Sequence, residues 1–251
     1  MEFSRRAGVT QLVECDLAKV DVAGSNPVSR SSLRLPIAMF NRLVLLCCLV
    51  LSAALSVFAQ DYKIETITTA APDLPSAYAA VIQSQGFRVL GPKGPWAEIW
   101  FAKSIPTGPK SADDSITLPI PQGTLLGVLR FPGEGNDRRG QTVKPGLYTL
   151  RYSDYPVDGA HQGVAPQRDF ALLTPIGLDT DPNAKPAFDP LVQMSLKASG
   201  TPHPAVLSLE TPGSSATFPS LTTEGDNADQ VLNVKVGSLG VAIIVVGKVQ
   251  G

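Results

Sequence analysis

Beyond residue 86 the apolar positions fall into short runs, alternating or continuously apolar, broken by Gly, Pro, Asn and Asp. Runs of this length and period mark strands rather than helices. They predict strands at Phe87–Leu90, Ala97–Ser104, Ser115–Pro119, Leu125–Phe131, Leu147–Ser153, Arg168–Thr174, Leu191–Lys197, Ala205–Glu210, Val231–Val236 and Leu239–Gly247. The last run, Leu239 to Val246, is apolar throughout, as in a strand buried on both faces. The Gly237-Ser238 turn before it predicts a closing hairpin. Gly133–Gly140, Leu178–Pro190 and Thr211–Asp229 read as turn-rich loops. Ahead of the strands, Asp73 to Gln85 predicts one short helix, with Asp73 as its cap, Pro75 in its first turn and Gly86 as its stop.

Strands follow one another without intervening helices, which excludes βαβ units. The expected fold is mainly β: an antiparallel β-sandwich, jelly-roll or Ig-like in outline, with one short N-terminal helix. An open barrel has the same strand spacing.

Residues 43–58 carry a different pattern, an unbroken apolar run behind Asn41-Arg42 and ahead of Val57-Phe58-Ala59 and polar Gln60-Asp61. A basic flank, a short apolar core and small residues at −3 and −1 predict a signal peptide over 39–59. The run is shorter than the roughly 20 residues of a spanning helix, so no stable membrane span is expected after cleavage. The expected layout is therefore a signal at 39–59, an N-terminal segment with the helix at 60–86, and the sandwich at 87–251. Export would place the protein in the periplasm or outside the cell.

Composition narrows the chemistry. Cys15, Cys47 and Cys48 are the three cysteines of the chain, so the stretch from Gln60 has none and thiol nucleophiles, disulfides and thiolate metal sites are excluded there. That stretch holds 15 basic and 18 acidic residues, a net charge of −3, with no basic tract suited to phosphate backbones. Nucleic acid is not an expected partner, and no cofactor is indicated. Gly-x-Ser-x-Gly, His-Glu-x-x-His and a phosphate-binding glycine loop are all missing from the sequence.

Two segments carry candidate chemistry. The 155–170 loop concentrates Asp158, His161, Arg168 and Asp169 between two expected strands. His161 could act as acid, base or metal ligand with Asp158 or Asp169 orienting it, and Arg168 could hold a carboxylate or sugar. A turn at Asp158-Gly159 and an Arg168–Asp169 ion pair explain the same residues structurally. His203 is the second histidine and the weak partner for a His161 metal site. In the other segment, strand alternation would set Trp96, Glu98 and Trp100 on one face, an arrangement suited to stacking on sugar rings or simply to packing.

Two resemblances rest on particular residues. Gly8-Val-Thr-Gln-Leu-Val-Glu14 and Gly24-Ser-Asn-Pro-Val28 can be encoded by a D-arm and a T-arm, and Cys15 to Asp21 by an anticodon stem-loop with the glycine anticodon GCC. Residues 7–32 thus resemble a translated tRNA-Gly gene, which implies that 1–38 are spurious and disordered and that the true start is Met39. Further on, Glu98-Ile-Trp100, Pro145-Gly-x-Tyr-Thr-Leu150 and Arg168-Asp-Phe170 resemble an uncharacterised family of secreted bacterial β-sandwich domains. This likeness implies fold and export and supplies no catalytic residues. The expected function is a non-catalytic exported module that binds a small ligand, a glycan or an envelope protein. The alternative is a hydrolase or metal-dependent enzyme using the 155–170 loop.

Overall fold

A computed structural model describes residues 62–156 and 167–247. The tRNA-like segment, the expected signal peptide, Asp158 and His161 lie outside the described residues.

Alternating side chains can bury one face of a strand, and neighbouring strands extend that face into a core. Ten strands do so here in one antiparallel sheet: β1 (Lys63–Ile67), β2 (Gly86–Gly91), β3 (Gly94–Phe101), β4 (Leu125–Phe131), β7 (Gly146–Asp154), β8 (Asp169–Pro175), β9 (Val206–Glu210), β12 (Leu239–Val246), β11 (Asp229–Val236) and β10 (Ser220–Glu224), in that spatial order. β5 (Gly135–Asn136) and β6 (Thr142–Val143) form a separate small hairpin. The end strands β1 and β10 come into contact, so the large sheet nearly closes on itself. Ile99, Leu129, Leu150, Leu173, Leu207, Ile243 and Leu232 contribute to one buried cluster that runs through seven strands.

Two helical segments accompany the sheet. α1 covers Ser76–Ala79 and α2 covers Phe188–Ser199. The expected helix over 73–85 is thus reduced to one turn. Asp73 adopts a left-handed conformation (φ 53°) instead of capping, and no side chain caps α1. Beyond it the chain straightens: Gln83 N–H donates to the Phe101 carbonyl, and Lys103 N–H to that of Val81.

The expected strand Leu191–Lys197 is the middle of α2. Leu191, Ser195 and Ala198 are its buried residues, a spacing of four and three that only a helix brings to one side. Gly200 ends it in the left-handed region (φ 65°), with its N–H bonded to the Leu196 carbonyl. The helix covers a second cluster of Tyr155, Phe170, Leu172, Leu191 and Val206, giving β8 apolar cover on both faces.

Ser115–Pro119 is not a strand. Pro119 and Pro121 remove ladder donors nearby, and the Thr117 and Leu118 N–H groups bond to the Asp169 carboxylate instead of a neighbouring strand. Conversely, Lys63–Ile67 is a strand in the 60–86 segment, where the sequence predicts only a helix, and Ser220–Glu224 is a strand within the expected loop Thr211–Asp229. They lie at the two sheet edges, where side chains stay largely exposed and the apolar signal is weak. The closing hairpin is present: Val236 pairs with Leu239 across Gly237 (φ 62°) and Ser238.

Candidate functional site

Several residues of the expected site have internal work. Asp169 is fully buried, and its carboxylate accepts from Thr117 N–H (2.6 Å), Thr117 Oγ1 (2.9 Å), Leu118 N–H (3.3 Å) and Tyr152 Oη (2.7 Å). It pins the 113–119 segment onto β7 and β8. Burial, and then donation of that hydrogen bond to the Asp169 carboxylate, raises the Tyr152 phenol pKa.

Arg168 does not pair with Asp169. Its guanidinium reaches Asp113 Oδ2 (2.6 Å) and Asp154 Oδ2 (3.4 Å), and both Nε and Nη2 donate to the Tyr155 carbonyl. Ser115, through its hydroxyl and its N–H, and then Arg168 hold the Asp113 carboxyl below the usual carboxylate range. Arg168 thereby fastens both ends of the 155–170 loop. His203 is exposed, in the turn after α2, where its N–H and carbonyl bond to Thr201 Oγ1. Among the described residues, no three His, Cys, Asp or Glu side chains are grouped to hold a metal ion.

Trp96, Glu98 and Trp100 occupy three different surroundings. Val89 pairs with Ala97 and Leu90 with Pro95, so Trp96 is the extra residue of a β-bulge, which breaks the alternation that would have aligned the three. Glu98 is buried between two cross-strand partners, Arg88 (2.7 Å) and Arg130 (2.9 Å), and Arg88 reaches on to Glu65 (3.7 Å). Trp100 is buried, and its indole N–H donates to the Thr69 carbonyl (2.8 Å).

Trp96 stays partly exposed at the start of β3. Its indole N–H donates to the Val245 carbonyl (3.0 Å), and its ring meets Phe131 edge-on at 6.0 Å. The ring is therefore fixed by one polar and one aromatic contact. Together with Tyr62 it lines two clefts. One, of about 360 Å³, continues over the Pro92-Lys93 turn to Glu134; the other, of about 390 Å³, continues to Asn136, Asp137 and Val246.

Asp137 is the buried carboxylate of this region. It accepts from the Arg139 N–H (3.0 Å), the Gln141 N–H (2.8 Å), the Gln141 side-chain amide (2.7 Å) and the Val206 N–H (3.2 Å). Burial still raises its pKa, because desolvation outweighs these donors. The bonds lock the β5–β6 hairpin against β9, so one side of the second cleft is held in place.

Sequence reading identified Trp96 but not Tyr62 or Asp137. Tyr62 lies far from Trp96 in the chain and comes to line the same clefts through β1–β2–β3 pairing, and Asp137 sits in the Gly133–Gly140 stretch that reads as a turn-rich loop. Neither a protein-family model, nor a curated protein, nor a solved structure matches this chain.

Proposed function

We propose that the protein is an exported, non-catalytic binding module whose ligand is a glycan, held at the rim where Trp96 and Tyr62 meet. The observation that carries this reading is the shared aromatic wall of two adjoining clefts, with an amide, a lysine and a glutamate around it and the internally bonded Asp137 bracing one side. Pyranose rings present apolar C–H faces and polar hydroxyl edges. A fixed indole with neighbouring acceptors and donors complements both.

The sandwich expected from sequence, and export through a signal at 39–59, belong to the same proposal. So does the family likeness carried by Glu98-Ile-Trp100, Pro145-Gly146 and Arg168-Asp-Phe170. Glu98 and Trp100 support the fold in this reading and do not touch ligand, since their polar groups are already bonded inside the sheet.

Affinity electrophoresis through gels containing defined polysaccharides (xylan, soluble chitosan, β-glucan) tests the proposal. At least one polymer is expected to retard the protein, and Trp96→Ala is expected to run unretarded while still unfolding cooperatively, at a lower Tm because its contacts with Phe131 and the Val245 carbonyl are lost. Equal mobility of both proteins in every gel would overturn it. The enzyme alternative draws on one observation, the partly exposed Arg168 between Asp113 and Asp154 at the base of the 155–170 loop.

A further inference from the structure

Beyond the far end of β3 lies a third cleft, of about 340 Å³, walled by Ala102, Lys103 and Ser104 on one side and by Asn183, Ala184 and Lys185 on the other. Ala102 lies six positions beyond Trp96, about 20 Å along extended chain, so this cleft is distinct from the aromatic one. We propose that it binds a small oxyanion-bearing ligand, one carrying a carboxylate or phosphate group.

Three observations carry the proposal. First, the charged side chains lining the cleft among the described residues are two lysines, Lys103 and Lys185, with no carboxylate between them. Two ammonium groups around one concavity set up a positive potential that an anion relieves. Lys103 Nζ donates one proton to the Ala80 carbonyl (2.7 Å), which fixes its position and leaves two protons for a ligand.

Second, Thr124 lines the same cleft, is buried, and its hydroxyl has no hydrogen-bond partner among the described residues. A buried hydroxyl without a partner is unfavourable, and it lies just beneath the cleft surface, where a ligand oxygen would satisfy it once the Thr124 side chain turns outward. Ser104 and the Asn183 amide add neutral donors at the rim.

Third, the wall is held rigid from beneath. Arg151 donates to the carbonyls of Asp181 (2.7 Å) and Ala184 (2.5 Å) while its other side grips Asp179. A wall fixed before binding loses little freedom when a ligand arrives.

Amide ¹H–¹⁵N spectra of the purified protein, titrated with sodium phosphate and separately with sodium acetate against sodium chloride at matched ionic strength, test the proposal. Saturable shifts confined to residues 102–104, 124 and 183–185 are expected with one or both oxyanions, and the two arms distinguish phosphate from carboxylate. Lys103→Gln with Lys185→Gln, both at exposed positions, is expected to abolish saturation. Thr124→Val is expected to weaken binding about tenfold, the loss of one charge-assisted hydrogen bond. Shifts that match chloride, that never saturate, or that persist in the double variant would each overturn it. Because the aromatic cleft is untouched, failure here leaves the glycan test unaffected.

Discussion

Arg151 presents its N–H donors to a closed set of oxygens: both carboxylate oxygens of Asp179 and the carbonyls of Gly123, Asp181 and Ala184. Asp179 also accepts from Thr149 Oγ1, and its carbonyl accepts from Tyr78 Oη, each at 2.7 Å. Removing one partner of such a buried pair leaves an unpaired charge, which costs about 3–5 kcal/mol. Arg151→Met and Asp179→Asn are each expected to lower unfolding free energy by about that amount in urea titrations, and the double variant by less than their sum. Glu210 gives a prediction of the opposite sign. Burial, then repulsion from Glu224, raises its carboxyl pKa. The native state therefore holds its proton to higher pH than the unfolded chain does, so the favourable contribution is complete in acid and lost as pH rises through the folded value. Glu210→Gln is expected to raise Tm at neutral pH and to leave it nearly unchanged below the ordinary glutamate range. An equal gain at both pH values would contradict this assignment. At this scale the sequence disclosed residue types but not partners: Asp169 stood out as a charged residue in a promising loop, and its role as an acceptor for Thr117, Leu118 and Tyr152 depends on contacts across the fold.

Among the elements, the strands whose side chains form both faces of the core were legible, since β4, β7, β8, β11 and β12 lie where apolar runs predicted them. Edge strands were not, because one paired side demands little apolar content. α2 was misread because the short run Leu191–Lys197 fits either period, and only the packing of Leu191 onto Tyr155, Phe170 and Val206 selects the helix. Leu191→Ala is accordingly expected to cost about 2–5 kcal/mol and to loosen α2, seen as faster amide exchange across Phe188–Ser199. Gly127, at the irregular register between β4 and β7, offers a second check. A methyl there would meet the Trp100 carbonyl and the Phe101 Cα inside van der Waals contact. Gly127→Ala is expected to destabilise by about 1–3 kcal/mol through strand displacement.

For the molecule as a whole, continuous antiparallel pairing from β1 to β10 brings residues distant in sequence to the same rim. Tyr62 and Trp96 gather there with the β5–β6 hairpin and the end of β12. Mainly-β character was legible from the sequence; the near closure of one ten-stranded sheet was not, because closure depends on long-range order that local periodicity does not encode. The bulge at Trp96 is similarly invisible in the alternating pattern, yet it separates this ring from Glu98 and Trp100. The most direct measurement of the binding account is a fluorescence titration of the intact protein with defined oligosaccharides (xylohexaose, chitohexaose, cellohexaose), repeated on Trp96→Phe and Tyr62→Ala. Saturable change of the tryptophan signal with at least one sugar, weakened at least tenfold by Tyr62→Ala and abolished by Trp96→Phe while Trp100 still emits, is the predicted result. No saturable change with any sugar, or undiminished affinity in the Tyr62→Ala protein, would contradict it.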